Sequence, residues 1–321
     1  MSKGALALLI SGSTDNWSPQ RWREQFRRRC RGRPVMLVPD DAPDPQSVRF
    51  AAVWKPKPGA LAVFPNLAVI FNLGAGVDVL MGDPTLPPVP LVRVAVPDLT
   101  RRMVEYVVMH VLMHHRQQRF LDDCQRQRIW APKVQWGAEQ IRVGVMGLGV
   151  LGVAAAEALQ GFAFDVAGWS RTAKTVPGMT CFAGPTEMPA FLARTDILVC
   201  LLPLTPDTRG ILSKETFARL ARDGVMGGPV LINAGRGALQ VETDILAALD
   251  QGVLLAATLD VFEKEPLPAS SPLWSHPKVT VSPHNAADTD PEAISDYVAE
   301  QIERFERGLP LANVVDRRVG Y

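Results

Sequence analysis

The sequence predicts an α/β protein built from two parallel-sheet domains. Three observations carry this. Short, continuous apolar runs alternate with helix-like or turn-rich stretches along almost the whole chain. Such runs suit parallel strands covered on both faces. A long stretch without Gly or Pro, residues 99–119, separates an early set of runs from a later one. Finally, 321 residues exceed what one hydrophobic core usually organises.

In the first part, strands are expected at 5–10, 34–38, 51–53 and 68–71, with Pro-rich loops at 39–45 and 82–90. From 99 to 119 apolar and histidine residues recur at helical spacing (Met103, Val107, His110, Val111, His114), which predicts one long helix. Residues 119–140 are polar, with Trp130 and Trp136. The α/β rhythm then resumes: strands at 141–146, 164–169, 196–202, 229–233, 253–259 and 278–282, helices near 150–161, 187–193, 213–223 and 241–251. This alternation predicts a doubly wound sheet. An amphipathic helix is expected over 290–308. The expected domains are 98–288, and 1–97 completed by 289–321.

Composition excludes several classes. The chain is 47% hydrophobic and 21% charged, too apolar to be mainly disordered. Lys plus Arg number 34 against 33 for Asp plus Glu, so no broad polyanion partner is expected. The arginines between Arg21 and Arg33 read as the solvated face of a helix that buries Trp22 and Phe26, not as a nucleic-acid patch. No apolar run reaches the roughly 20 residues of a membrane span. Cys30, Cys124, Cys181 and Cys200 show no paired spacing, which points to a reducing cytoplasm and to neither a disulfide framework nor a zinc site. No metal is expected, and His110, His114 and His115 are read as packing or interface residues.

The strand at 141–146 runs into Gly147-Leu148-Gly149-Val150-Leu151-Gly152, followed by an Ala-rich helix. In a G-x-G-x-x-G turn the first glycine allows the tight bend. The second admits a pyrophosphate, and the third lets the helix pack on the strand. A dinucleotide site is expected, with phosphate at the helix start. The next strand ends in Ser170-Arg171-Thr172 with Lys174 behind, and no carboxylate stands there for a ribose hydroxyl. Asp165 lies at the wrong end of that strand. A hydroxyl and a guanidinium suit a 2′-phosphate, so NADP(H) is expected over NAD(H).

Three further strands end in polar motifs: Asn233-Ala234-Gly235-Arg236-Gly237, Leu259-Asp260 running on to Glu265-Pro266, and Ser282-Pro283-His284-Asn285. The carboxyl ends of parallel strands are where such sheets bind ligands. The set suits hydride transfer to a 2-keto acid. Arg clamps a carboxylate and polarises the ketone, His gives a proton to the nascent alkoxide, and a neighbouring Glu favours imidazolium.

With these motifs in place the chain resembles the D-isomer-specific 2-hydroxyacid dehydrogenases over nearly its whole length. Added carriers are Leu201-Leu202-Pro203-Leu204-Thr205 and the turn Leu73-Gly74-Ala75-Gly76. Val53-Trp54-Lys55-Pro56 and Trp169-Ser170-Arg171 make it most similar to the bacterial NADPH-dependent glyoxylate/hydroxypyruvate reductases. The resemblance implies a Rossmann cofactor domain and a flavodoxin-like substrate domain with a cleft between. It implies Arg236, Glu265 and His284 as the catalytic residues. Asp260 would hold the nicotinamide carboxamide, and Leu202, Pro203, Ala234 and Gly235 would line the cofactor. Backbone amides of 73–76 would receive the substrate carboxylate, as a glycine-rich nest can. Trp54 and Lys55 are read as lining the substrate cleft, or Trp54 as core. The resemblance further implies reduction of glyoxylate to glycolate and hydroxypyruvate to D-glycerate, in a homodimer reached by the segment that holds Trp130 and Trp136. One of these tryptophans would pack the dimer or enter the partner's site. Two rival readings are the same chemistry on a bulkier, phenylpyruvate-like acid, and a dinucleotide-sensing protein without catalysis. Gly235 and Asn285 depart from the family's usual residues.

Overall fold

The computed structural model describes residues 3–11, 17–318 and 320. They form two compact units, Met1–Leu99 with Asp288–Tyr321, and Thr100–Ala287. The two-domain, parallel-sheet α/β class expected from the sequence is what the chain adopts.

The first unit contains β1 (Ala5–Ile10), α1 (Pro19–Arg29), β2 (Val35–Leu37), β3 (Val48–Trp54), β4 (Val69–Asn72), α2 (Asp78–Met81) and β5 (Leu91–Arg93). All strands are parallel, in the order β2-β1-β3-β4-β5. This is the flavodoxin-like order. On one face Ala7, Leu9, Ala51, Val53 and Ile70 form a dry core with Val315, returned from the end of the chain. That returning segment hydrogen-bonds along the β5 edge: Arg93 N–H donates to Asn313 O at 3.1 Å and Val315 N–H to Leu91 O at 2.8 Å.

The basic segment proves less solvated than its composition suggests. Trp22 and Phe26 of α1 are fully buried, as their spacing predicts. Arg33, however, is itself buried, bonded to Glu306 and to the Gly4 carbonyl and stacked over Phe50. Arg29 pairs with Glu292 and Asp296. The correction has a simple cause. The 290–308 helix brings acidic residues to α1 that lie more than 250 positions away in the chain.

The second unit runs through α3 (Pro97–His115), α4 (Gln118–Gln127), β6 (Arg142–Met146), α5 (Val150–Gly161), β7 (Asp165–Ser170), β8 (Thr180–Ala183) and α6 (Gly184–Ala193). It continues with β9 (Ile197–Cys200), α7 (Lys214–Ala218), β10 (Val230–Asn233), α8 (Glu242–Asp250), β11 (Ala256–Leu259) and β12 (Val279–Val281). Helix α9 (Pro291–Glu306) returns to the first unit. The seven parallel strands are ordered β12-β11-β10-β9-β6-β7-β8, with the switch point between β6 and β9. Alternation along each strand splits the core in two. Val143, Val145, Ile197, Val199, Val230 and Ile232 face one side with Met103, Val107, Val111 and Leu159. Met146, Leu198, Cys200, Leu231 and Leu259 face the other with Phe191, Phe217 and Ile245.

The long helix does not reach Arg119. It ends at His115, and Gln117 turns the chain through a left-handed conformation (φ 57°) into α4. No glycine or proline marks this break. The strands β5 and β8, three and four residues long, lie outside the set expected from the sequence. Among the described residues no helix is long and apolar enough to cross a membrane.

Helix α3 buries three histidines. The Nε2 of His114 lies 2.9 Å from Thr258 Oγ1, and desolvation pushes its pKa down to about 3. The folded state therefore keeps this ring neutral, whereas the unfolded chain takes up a proton below the ordinary 6.5. Stability is then complete above pH 6.5 and declines towards pH 3, by about 1.4 kcal/mol per pH unit from this one group. Urea melts from pH 7 to 4 should show a smaller decline in His114→Gln than in the wild type. Parallel declines would refute the assignment.

Candidate active site

The β6 strand delivers the glycine-rich turn. Gly147 has φ +113°, and a β-carbon there would lie 2.9 Å from the Leu201 carbonyl at the end of the neighbouring β9. A β-carbon on Gly152 would meet the Gly147 oxygen at 1.8 Å, so helix and turn touch backbone to backbone. At Gly149, by contrast, nothing lies within 4 Å of a β-carbon position. Open space stands where a phosphate would approach, next to the first N–H groups of α5, which lack intrahelical acceptors. These residues fit a dinucleotide. Val150 is exposed, while Leu148 turns inward against Gly168 and so offers a ligand only its backbone. Leu151 packs at the margin of the core.

The register pairs Met146 with Trp169, which sets Gly147 and Ser170 side by side at the strand ends. Ser170 is buried and its Oγ donates to Thr172 O at 2.8 Å, so the hydroxyl shapes the turn. Arg171, Thr172 and Lys174 are exposed beyond it. Asp165, at the other end of β7, pairs with Arg194.

Asn233 closes β10 and is fully buried. Its Oδ1 accepts from Gly235 N–H at 3.0 Å, and its Nδ2 donates to Arg236 O at 3.2 Å and to Gln240 Oε1 at 2.8 Å. Gln240 in turn donates to Val261 O, just past Asp260. This network holds the backbone of Arg236, whose half-buried guanidinium donates to Gly235 O at 2.7 Å. Leu202 is buried beside this turn, and the Pro203 carbonyl accepts from Thr208 Oγ1. Ala234 N–H donates to Cys200 O, tying β10 to β9.

Asp260 is 1% exposed. Its carboxylate accepts from Ser282 Oγ at 2.7 Å, Asn285 N–H at 3.0 Å and Ala286 N–H at 3.0 Å. Its carbonyl accepts from His284 N–H at 2.8 Å. The exposed Asn285 thus enters the network through its backbone. His284 sits at the crest of this turn with φ +54°, a left-handed conformation uncommon outside glycine. Its Nδ1 lies 2.9 and 2.8 Å from the two Glu265 oxygens. An acceptor-only carboxylate on Nδ1 requires a proton there, and it leaves Nε2 as the nitrogen that can exchange one. The structure therefore joins Glu265 and His284 directly, and sets Arg236 on the next but one strand.

The remaining predicted residues belong to the first unit. Leu73 is buried, and Asn72 ties down the turn after it: its Nδ2 donates to Gly74 O at 2.7 Å and Gly76 O at 2.9 Å. Ala75 and Gly76 are half-buried. A β-carbon on Gly74 would lie 2.4 Å from the Trp54 ring. Trp54 is half-buried, stacked on Trp17 at 4.1 Å, with Lys55 Nζ 5.6 Å from its ring centroid. Lys55 adopts φ +46°. Asn72 was not singled out by sequence reasoning, and Asn233 entered it only as the head of the 233–237 motif, without a role. The signal was available: each is the one polar residue ending an apolar strand just before a glycine-containing turn. Ser282 ends its strand within the 282–285 motif, whereas Gln240 and Tyr106 join the network only through folding and left no such signal.

Among the described residues no group of three His, Cys, Asp or Glu side chains gathers as a metal ion requires. Gly235 stands in a crowded turn. A β-carbon there would come within 2.8 Å of both the Leu202 oxygen and Leu239 Cδ1. Gly235→Ala should cost about 1–3 kcal/mol of stability by overpacking, measured by denaturant melts. An unchanged midpoint would show that the turn has room.

The family model for the D-isomer specific 2-hydroxyacid dehydrogenase NAD binding domain matches residues 108–286. A protein of Yersinia enterocolitica named glyoxylate/hydroxypyruvate reductase A is 42% identical over 284 residues, covering 87% of this chain and 89% of that protein. The crystal structure of an NADPH-dependent glyoxylate/hydroxypyruvate reductase from Sinorhizobium meliloti, in complex with NADP and sulfate, matches with a TM-score of 0.94 at 44% identity. It covers 99% of this chain and 100% of that one. A D-isomer specific 2-hydroxyacid dehydrogenase from Xanthobacter autotrophicus, in complex with NADPH and MES, matches with a TM-score of 0.91 at 42% identity, covering 99% of each chain. The chain belongs to the D-isomer specific 2-hydroxyacid dehydrogenase family.

Proposed function

We propose that this chain is an NADPH-dependent reductase of small 2-keto acids, converting glyoxylate to glycolate and hydroxypyruvate to D-glycerate. The observation that carries the reading is the Glu265–His284 pair, held at the strand ends of a unit whose β6 turn is open to a dinucleotide. The names of the relatives in Yersinia and Sinorhizobium support the substrate class.

In this reading the turn at 147–152 holds the pyrophosphate. Arg171, Thr172 and Lys174 receive the 2′-phosphate at the turn that the buried Ser170 hydroxyl shapes; Leu202, Pro203, Ala234 and Gly235 form the wall beside the nicotinamide. Asp260 has about four acceptor positions. Three are filled by its own chain, and the last is what it offers a carboxamide. The bound cofactor supplies a hydride for the keto carbon. Arg236 grips the substrate carboxylate and polarises the ketone. His284 donates the Nε2 proton to the nascent alkoxide, while Glu265 on Nδ1 stabilises the imidazolium and fixes the ring.

The test is a panel of 2-keto acids with NADPH and NADH. Glyoxylate and hydroxypyruvate should be the best substrates, with kcat/KM clearly higher with NADPH. A stronger response to phenylpyruvate would reassign the substrate, and a preference for NADH would sink the cofactor assignment. His284→Gln should lower kcat by about 100-fold or more. Arg236→Ala should reduce kcat and raise KM together. Near wild-type turnover in His284→Gln would remove the proton donor from the mechanism.

We also infer a homodimer. Trp130 is 97% exposed in the single chain, Ile129 and Val134 are exposed with it, and α4 buries no residue. Apolar surface of this kind marks an interface. Acidic Asp122 and Asp123 beside Arg119 and Arg126 give α4 both signs of charge, which suits a self-complementary two-fold contact. Trp136 already packs against the core of its own unit, so Trp130 is the tryptophan available to a partner. Light scattering should give twice the chain mass, and Trp130→Glu should halve it. A monomeric wild type would contradict the inference.

A further inference from the structure

We propose that Tyr106, on α3, is a positioning residue for the reduction, acting through Ser282 and Asp260 on the turn that carries His284. The Tyr106 hydroxyl lies 2.8 Å from Ser282 Oγ, and Ser282 Oγ lies 2.7 Å from Asp260 Oδ1. The direction of this relay is fixed by proton counting. Ser282 has one hydroxyl proton, and it goes to the carboxylate, which only accepts. Tyr106 must therefore be the donor to Ser282. Burial pushes the phenol's pKa upward, so the donor keeps its proton.

What the relay secures is a backbone shape. His284 stands in a left-handed conformation, which persists only where its surroundings over-determine it. The constraints are the bonds from Ser282 Oγ and the 284, 285 and 286 amides to Asp260. Three belong to backbone and cannot be reset without moving the chain. Ser282 is the one adjustable member, a rotor that Tyr106 locks.

The donor itself is well anchored. Tyr106 is 7% exposed, its ring packs 4.1 Å from that of His110, and His110 Nδ1 bonds to the Tyr106 carbonyl. One turn further on, His114 meets Thr258 of β11. In α4, Arg119 donates to Val279 O at 3.1 Å and Thr280 Oγ1 at 2.7 Å of β12. The helical segment is thus fastened to the two strands whose ends carry Asp260 and Ser282.

The inference rests on the reading of His284 as proton donor, and the test separates the two. Tyr106→Phe keeps the ring and removes one oxygen. It should lower kcat for glyoxylate by about 10-fold through misplacement of the acid, with KM for NADPH unchanged. Ser282→Ala should do the same, and Ser282→Thr, which keeps a hydroxyl, should restore most of the rate. Because the relay is serial, the double variant Tyr106→Phe/Ser282→Ala should be no slower than Ser282→Ala alone. Wild-type kcat in Tyr106→Phe, or additive losses in the double variant, would overturn the proposal. If the wild type reduced no 2-keto acid, the functional reading would fall. The His284 ring resonances would then decide the positioning role: it stands if they shift in Tyr106→Phe and is overturned if they do not.

Discussion

A carboxylate with 1% of its surface exposed sits just past the end of β11 in the second unit. Left without donors, such a group would cost several kcal/mol. Asp260 avoids that cost by drawing in the 282–286 turn from β12, while its own N–H reaches Asn233 O on β10. Three strand ends are thereby tied at one point. The geometry of the site is a by-product of satisfying this group. His284 faces Glu265 because the turn beneath it has nowhere else to place its amides, and the backbone of Arg236 follows from the Asn233–Gln240 pair on the adjacent strand.

The legible parts of this arrangement were those written contiguously. The glycine turn at 147–152 can be read because one strand, one turn and one helix carry all of it. Arg236, Glu265 and His284 can be read because each lies at or just beyond the end of an apolar strand, and parallel strands gather their ends at one edge. Tyr106 and Ser282 stand 176 positions apart, and no local pattern announces that they will share a proton. Likewise nothing local distinguished Arg33, which is paired and buried, from its exposed neighbours.

The misread helix end has the same origin. Residues 99–119 satisfy helical periodicity throughout. The break at Gln117 is imposed by tertiary contacts: Arg119 reaches β12 from a new axis, and Gln117 itself donates to Val134 O. Propensity is a weak prior when such contacts compete with it. The near-zero net charge was informative about large partners and silent about local cations. Arg29 and Arg33 pair with acidic residues of the returning helix, and Arg171 and Lys174 are exposed just beyond the end of β7.

The segment 313–315 has a consequence for solubility. A bare β5 would present a row of unsatisfied backbone groups at the rim of the five-stranded sheet, a template on which another chain could add a strand. Asn313 and Val315 fill that row from within the same molecule, in a short pairing that runs antiparallel at Val92 and Val314. Their presence turns an adhesive rim into a finished one. Any extension or fusion of the protein beyond residue 315 needs to leave this lacing intact.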